Sequence, residues 1–226
     1  VESPKTLNPA LNDARLRNDP APCQGGAVPD DAPLPEGSPW TTLGSRTLLD
    51  DRWIRLRADH LRTAGGAEIS PWYVLDYPDW CSVVPLTADG RVVMIRQWRH
   101  AAQCWSLELP GGVMDATDAD PLAAGRRELL EETGYGGGEW RALYAAPPNP
   151  AIQTNRLHVV LATGVGRISP PTPEPGEVIR VELHDPARLL AALPQGALGQ
   201  AMHVGALILG LQAAGWLRCE VTPPGS

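Results

Sequence analysis

Short apolar runs set between turn residues give the first reading of this chain. Thr47-Leu48-Leu49, Trp53-Ile54-Arg55-Leu56-Arg57-Ala58 and Trp72-Tyr73-Val74-Leu75 have the length and alternation of strands. Ala64-Gly65-Gly66-Ala67 between them is a hairpin signal, because glycine tolerates the positive φ that tight turns need. Residues 40–80 are therefore expected to form a small antiparallel sheet. Ser82-Val83-Val84-Pro85-Leu86 and Arg91-Val92-Val93-Met94-Ile95 flank Asp89-Gly90, and their unbroken apolar character predicts strands buried on both faces. A compact domain over 81–226 is expected to begin there.

Downstream the period changes from two to 3.6. Asp120 as N-cap, Pro121 at the first helical position and Gly134 just past the end delimit a helix. Strands are predicted at 140–144, 157–162 and 178–183, helices from Asp185-Pro186 to about 193 and over 198–214, and a Pro-rich loop over 170–177. Strands and helices mix without strict alternation, which indicates an α+β layered fold. Residues 1–39 hold eight of the 24 prolines and no aromatic residue, so they read as a flexible arm that cannot bury enough apolar surface to offset its ordering entropy.

Composition narrows the function classes. Nineteen Lys plus Arg against 26 Asp plus Glu give a net charge of −7, the opposite of a nucleic-acid footprint. No apolar run is long enough to span a membrane, and no basic-then-apolar leader opens the chain. Cys23, Cys81, Cys104 and Cys219 show neither a CxxC pair nor a disulfide framework, so reduced thiols in a cytoplasmic protein are expected. Eight Trp and no Phe leave Trp to do packing that Phe usually shares. Of these, Trp40, Trp53, Trp98 and Trp105 invite a base-stacking role for one at most, against the ordinary role of core or interface anchor.

Chemistry concentrates in Arg127-Glu128-Leu129-Leu130-Glu131-Glu132-Thr133-Gly134-Tyr135. On a helix, Glu128, Glu131 and Glu132 share a face about 100° wide. Like charges at this spacing repel, so either solvent screens them or a hard divalent cation such as Mg²⁺ draws them together. A bare Glu-x-x-Glu-Glu is more often a solvated acidic face. Here it follows Leu107-Glu108-Leu109-Pro110-Gly111-Gly112 and ends a well-capped helix.

Together these residues resemble the signature of the Nudix hydrolases. Arg127 to Gly134 matches the second half of that signature residue for residue, with Tyr135 at the usually aliphatic last place. The first half departs: Ala119 stands at the first acidic position, and the loop from Gly112 to Arg127 is one residue longer. Asp118 or Asp120 is left as a shifted substitute. Segments 91–100 and 149–158 resemble the ADP-ribose pyrophosphatase-like branch.

The resemblance implies an α/β/α sandwich with a mixed central sheet, preceded by a small antiparallel sheet that serves dimerisation. It implies Mg²⁺, or Mn²⁺, held by Glu128, Glu132, Glu131 and the Gly111 carbonyl, with Arg127 keeping the carboxylates in register and Gly112 and Gly134 shaping the motif. Glu131 is a further ligand or a base. A general base on the Pro-rich loop is expected at Glu177 first and Glu174 second. Arg99 matches a phosphate-contacting place; Arg96 is either a second contact or a surface charge, and Glu108 either a site contact or the partner of an arginine. His158 reads as a pocket-wall or core residue. The implied reaction is hydrolysis of a nucleoside diphosphate joined to another group, ADP-ribose or a nucleotide sugar, by a homodimer. A catalytically weak nucleotide sensor of the same fold is the alternative, favoured by Ala119 alone.

Overall fold

The computed structural model describes residues 37–51, 54–174 and 176–220; nearly all of the expected arm, and Trp53, lie outside them. The chain divides into two compact units. One comprises the described residues up to 78 with 146–156, and the other 79–145 with the described residues from 157 onward.

In the first unit β1 (Trp40–Asp50), β2 (Arg55–Thr63) and β3 (Glu68–Asp76) form an antiparallel sheet in the order β1-β2-β3. The β2–β3 turn falls on Gly65-Gly66, where Gly66 takes φ +84°. Arg57 ties the sheet together by pairing with both Asp59 and Asp76. Segment 146–156 extends the unit, since Leu75 N–H donates to the Ile152 carbonyl and Thr154 N–H to that of Leu75. This last element differs from the sequence expectation, which places 146–156 with the following domain. Its two hydrogen bonds to β3 are tertiary and leave no mark in local periodicity.

The second unit is built on β4 (Trp80–Thr87), β5 (Val92–Arg99), β8 (Tyr135–Gly136), β10 (Leu157–Arg167) and β11 (Ile179–His184), in the order β11-β5-β4-β10-β8. Added to them are β6 (Cys104–Glu108) on β5, β7 (Gly111–Val113) on β4 and β9 (Glu139–Ala146) on β10. β4 and β10 run parallel and the described pairs around them antiparallel, so the sheet is mixed. The expected burial on both faces is present. Cys81, Val83, Val93, Val160 and Ala162 pack with Ala124 and Leu129 of α1 (Pro121–Thr133). Their neighbours Val84, Met94, Val159 and Leu161 turn to the opposite face and pack with Leu189 of α2 (Pro186–Ala192) and Leu207 and Leu211 of α3 (Ala201–Ala213). Strand parity thus builds two cores, and the layers are α/β/α.

α1 begins and ends where its sequence requires. Asp120 accepts from Ala123 N–H at 2.8 Å, Pro121 opens the helix, and Gly134 closes it in the left-handed region at φ +73° with its N–H on the Leu130 carbonyl. A Cβ at Gly134 would lie 2.1 Å from the Ser169 carbonyl oxygen, so close approach as well as φ selects glycine. Gly125 brings the helix down onto the sheet, as a Cβ there would stand 2.8 Å from the Val160 side chain. No helix among the described residues is long and apolar enough to cross a membrane.

Candidate metal and phosphate site

α1 presents its carboxylates to the turn between β6 and β7. Glu132, only 3% exposed, accepts from Gly111 N–H at 2.8 Å. Gly111 adopts φ +152°, and a Cβ there would strike the Cys81 carbonyl, so the turn can approach β4 only as glycine. Glu128 lies against Gly112, whose hypothetical Cβ would be 2.7 Å from Glu128 Oε1. The two glycines are therefore space for two carboxylates and a backbone, not general flexibility.

Burial without a compensating cation is unfavourable for such groups. Desolvation pushes the Glu128 carboxyl up to about 7; Arg127 opposes the rise, and the charges of Glu131 and Glu177 add to it. Burial drives Glu132 well above the ordinary carboxylate range, against the Gly111 hydrogen bond and with the charges of Glu128 and Glu177. Glu131 is more open, its side chain 44% exposed, and accepts from Arg127 at 3.1 Å.

Arg127 organises the loop that precedes the helix. It donates to Asp118 through Nε and Nη2, to Glu128 and Glu131 through Nη1, and to the Val113 carbonyl through Nη2. The Asp118 hydrogen bonds hold its guanidinium firmly in the charged form despite partial burial. Asp118 also accepts from Asp115 N–H, and Asp120 caps α1, so both candidate substitutes for the missing acid have local work. Among the described residues, no three His, Cys, Asp or Glu side chains stand close enough together to cage a metal. Arg127 holds Glu128 and Glu131, while Gly111 N–H holds Glu132. The donor set itself suits a hard cation: carboxylate oxygens, Glu132 buried and Glu128 half-buried, whose mutual repulsion positive charge relieves.

The Pro-rich loop reaches the same face. It is tethered where Thr172 N–H donates to the Glu131 carbonyl at 2.7 Å and where Ile168 and Ser169 N–H donate to Gly134. Glu177, half-buried, acts electrostatically on Glu128, Glu132 and Arg99. Glu174 is exposed and enters through its backbone, donating its N–H to Glu177 Oε2.

The two arginines of β5 part ways. Arg99 forms a two-point pair with Glu108, at 2.8 and 2.6 Å, and also feels the charges of Glu132 and Glu177. Arg96, three residues away on a regular strand, turns to the other face and pairs with Glu182 of β11 at 2.7 and 3.1 Å. That pairing is cross-strand structure, so Arg96 stands apart from the carboxylate cluster. Glu108 is fully buried; burial works against its charge, but Arg99 keeps it below the ordinary carboxylate value. Pairing with an arginine, one of the two readings open for Glu108, is what Arg99 makes with it.

Sequence reasoning missed Gln200 and His203. Gln200 Nε2 donates to Glu108 at 2.8 Å, and His203 Nδ1 accepts from Leu109 N–H at 3.2 Å. Their only sequence signal is that they are polar residues in the apolar stretch 198–211. His158 pairs with Asp79 at 2.9 Å at the start of β10. Trp98 and Trp105 pack edge to face with each other, at 39% and 50% exposure, and Trp40 packs on Trp72. Cys81 is buried, its thiol pushed up to about 12 by desolvation, and is no nucleophile.

Comparison with known proteins agrees with this geometry. Residues 78–202 match the NUDIX domain model, and 40–75 the model of the nucleoside diphosphate sugar hydrolase N-terminal domain. The chain is 29% identical over 130 residues to an ADP-ribose pyrophosphatase of Mycobacterium tuberculosis, covering 58% of this chain and 62% of that one. It is 29% identical over 177 residues to a CMP-5'-(N-acetyl-N-hydroxy-3-aminopropyl)phosphonate hydrolase of Streptomyces rubellomurinus, covering 77% and 84%. An ADP-sugar pyrophosphatase of Mus musculus is 33% identical over 118 residues, covering 50% and 53%. A crystal structure of an ADP compounds hydrolase superposes with a TM-score of 0.70 at 20% identity, over 80% of this chain and 98% of that one, which speaks to the fold. With the glycine turn, the capped acidic helix and the layered sheet in place and the domain model spanning more than half of its residues, the chain belongs to the Nudix family.

Proposed function

We propose that the protein hydrolyses the pyrophosphate bond of a nucleoside diphosphate joined to a second group, ADP-ribose or a nucleotide sugar, releasing a nucleoside monophosphate and a phosphorylated second product. One observation carries the reading: Glu132 on the Gly111 N–H and Glu128 against Gly112 set two carboxylates of α1 at the glycine turn, with the Pro-rich loop tethered to the same helix through Thr172. Glu128 and Glu132 would hold a divalent cation, joined by Glu131 and the Gly111 carbonyl, with Mg²⁺ first and Mn²⁺ second. Once bound, the cation supplies charge neutralisation for the pyrophosphate oxygens.

The chain's own residues do the rest. Arg99 binds a phosphate oxygen through the edge of its guanidinium that Glu108 leaves free. Glu177 takes the proton of the attacking water. A new oxygen–phosphorus bond forms as the bridging bond breaks, and the bridging oxygen departs with the electron pair on the leaving phosphate. Arg127 positions the carboxylates and the preceding loop. A homodimer through the small sheet and a cytoplasmic location complete the proposal; β1, exposed along its whole length in one chain, offers the surface.

Incubation with a panel of nucleoside diphosphate derivatives and free triphosphates, with and without Mg²⁺, tests the substrate class by released monophosphate. Preference for ADP-ribose or nucleotide sugars is expected, and preference for free triphosphates would overturn the assignment. A nucleotide sensor is the second reading. Ala119 favours it, since Asp118 and Asp120 are both engaged elsewhere; its mark would be binding across the panel without turnover.

A further inference from the structure

The residues just before α3 and in its first turn grip the end of β6 and the residue after it at three successive positions. Gly199 N–H donates to the Leu107 carbonyl at 3.2 Å, Gln200 Nε2 to Glu108 Oε2 at 2.8 Å, and Leu109 N–H donates to His203 Nδ1 at 3.2 Å. The approach is tight: a Cβ at Gly199 would lie 1.8 Å from Ser106 Oγ. Glu108 has no exposed surface, so its orientation depends on what bonds it. Arg99 Nη2 and Gln200 share Oε2, and Arg99 Nε takes Oε1. A guanidinium has five N–H groups in a fixed plane. With the Nε and one Nη2 donor fixed on Glu108, the remaining edge points away from that carboxylate. Whatever fixes Glu108 therefore also fixes the direction of that edge.

We propose that Gln200 is a positioning residue, acting through Glu108 to aim the free edge of Arg99 at a phosphate of the substrate. The inference rests on the role given to Arg99 under the proposed function. Without the Gln200 donor, Glu108 keeps Arg99 and Ser106 as partners but loses its tie to the α3 side, and the carboxylate and guanidinium are then free to turn together. Ground-state binding of the diphosphate weakens while the carboxylates of α1 are untouched.

Affinity for ADP-ribose is measured by calorimetry in EDTA, free of metal and of turnover, for the wild type, Gln200→Leu, Arg99→Ala and the double variant. Melting temperatures and the separate kcat and KM values with Mg²⁺ are recorded alongside. Gln200→Met, with an unbranched stem, is the second variant should the leucine fail to fold. The expected result is a Kd raised about tenfold in Gln200→Leu, the scale on which a supporting hydrogen-bond partner acts. KM should rise with it while kcat is kept, and the change should add nothing in the Arg99→Ala background. An unchanged Kd in Gln200→Leu beside a weakened Arg99→Ala would overturn the inference alone, as would an effect that persists undiminished in the double variant. An unchanged Kd and KM in Arg99→Ala would instead overturn the reading beneath it; should the wild type not bind in EDTA, the KM values with Mg²⁺ decide both questions in the same way.

Discussion

At the scale of single residues, Glu132 is a carboxylate held in a place that disfavours its charge. It is nearly inaccessible, bonded to one backbone N–H and pressed toward its protonated form by burial. Glu132→Gln keeps an oxygen for Gly111 and removes the buried charge. Thermal stability in EDTA should hold or rise, and Mg²⁺-dependent turnover should fall by about 100-fold or more; scanning calorimetry and a phosphate-release assay read the two. His203 works in the other direction on acidity. Burial lowers its pKa from 6.5 to about 4, which leaves Nδ1 free to accept from Leu109 N–H at neutral pH. Between those values the unfolded chain carries a proton that the folded chain refuses, so stability should decline as pH falls through this window. Urea midpoints from pH 7 to 4 should fall more steeply for the wild type than for His203→Asn, whose amide oxygen replaces Nδ1 without titrating.

At the scale of elements, α1 shows how much was legible and how much was not. Asp120, Pro121 and Gly134 mark both ends in the sequence, because capping is a local matter of side chain and φ. The alternating burial of Val83 with Val84 and of Val93 with Met94 was legible for the same reason: an apolar run bounded by turns has two faces. The partners of charged side chains were not. Glu182 meets Arg96 and Glu108 meets Gln200 across 86 and 92 residues, and local pattern says nothing about pairing at that separation. The missing acid at Ala119 is decided at this scale too. If Asp120 serves only as a cap, Asp120→Ala should cost about 1 kcal/mol and Asp120→Asn very little. Both should keep the Mg²⁺ dependence of the wild type, read by denaturant unfolding and metal titration. A weakened metal response in Asp120→Asn at unchanged stability would make it a ligand instead.

At the scale of the whole molecule, the acidic balance that argues against nucleic acid acquires a local sense: part of it lies on a partly buried acidic face that Arg127 partly offsets and a cation would neutralise. The small sheet adds an assembly question. Sedimentation at micromolar concentration should give a dimer, and Leu48→Lys on exposed β1 should shift it toward monomer; a wild-type monomer would remove the sheet from that role. The most direct test of the account is ³¹P NMR of ADP-ribose incubated with the protein and Mg²⁺ in ¹⁸O-water, beside Glu132→Gln and an EDTA control. AMP and ribose 5-phosphate are expected, with one ¹⁸O on one of the two phosphates, no conversion in EDTA and at most a trace in Glu132→Gln. Bound but intact ADP-ribose in the wild type, or cleavage that persists in EDTA, would contradict it.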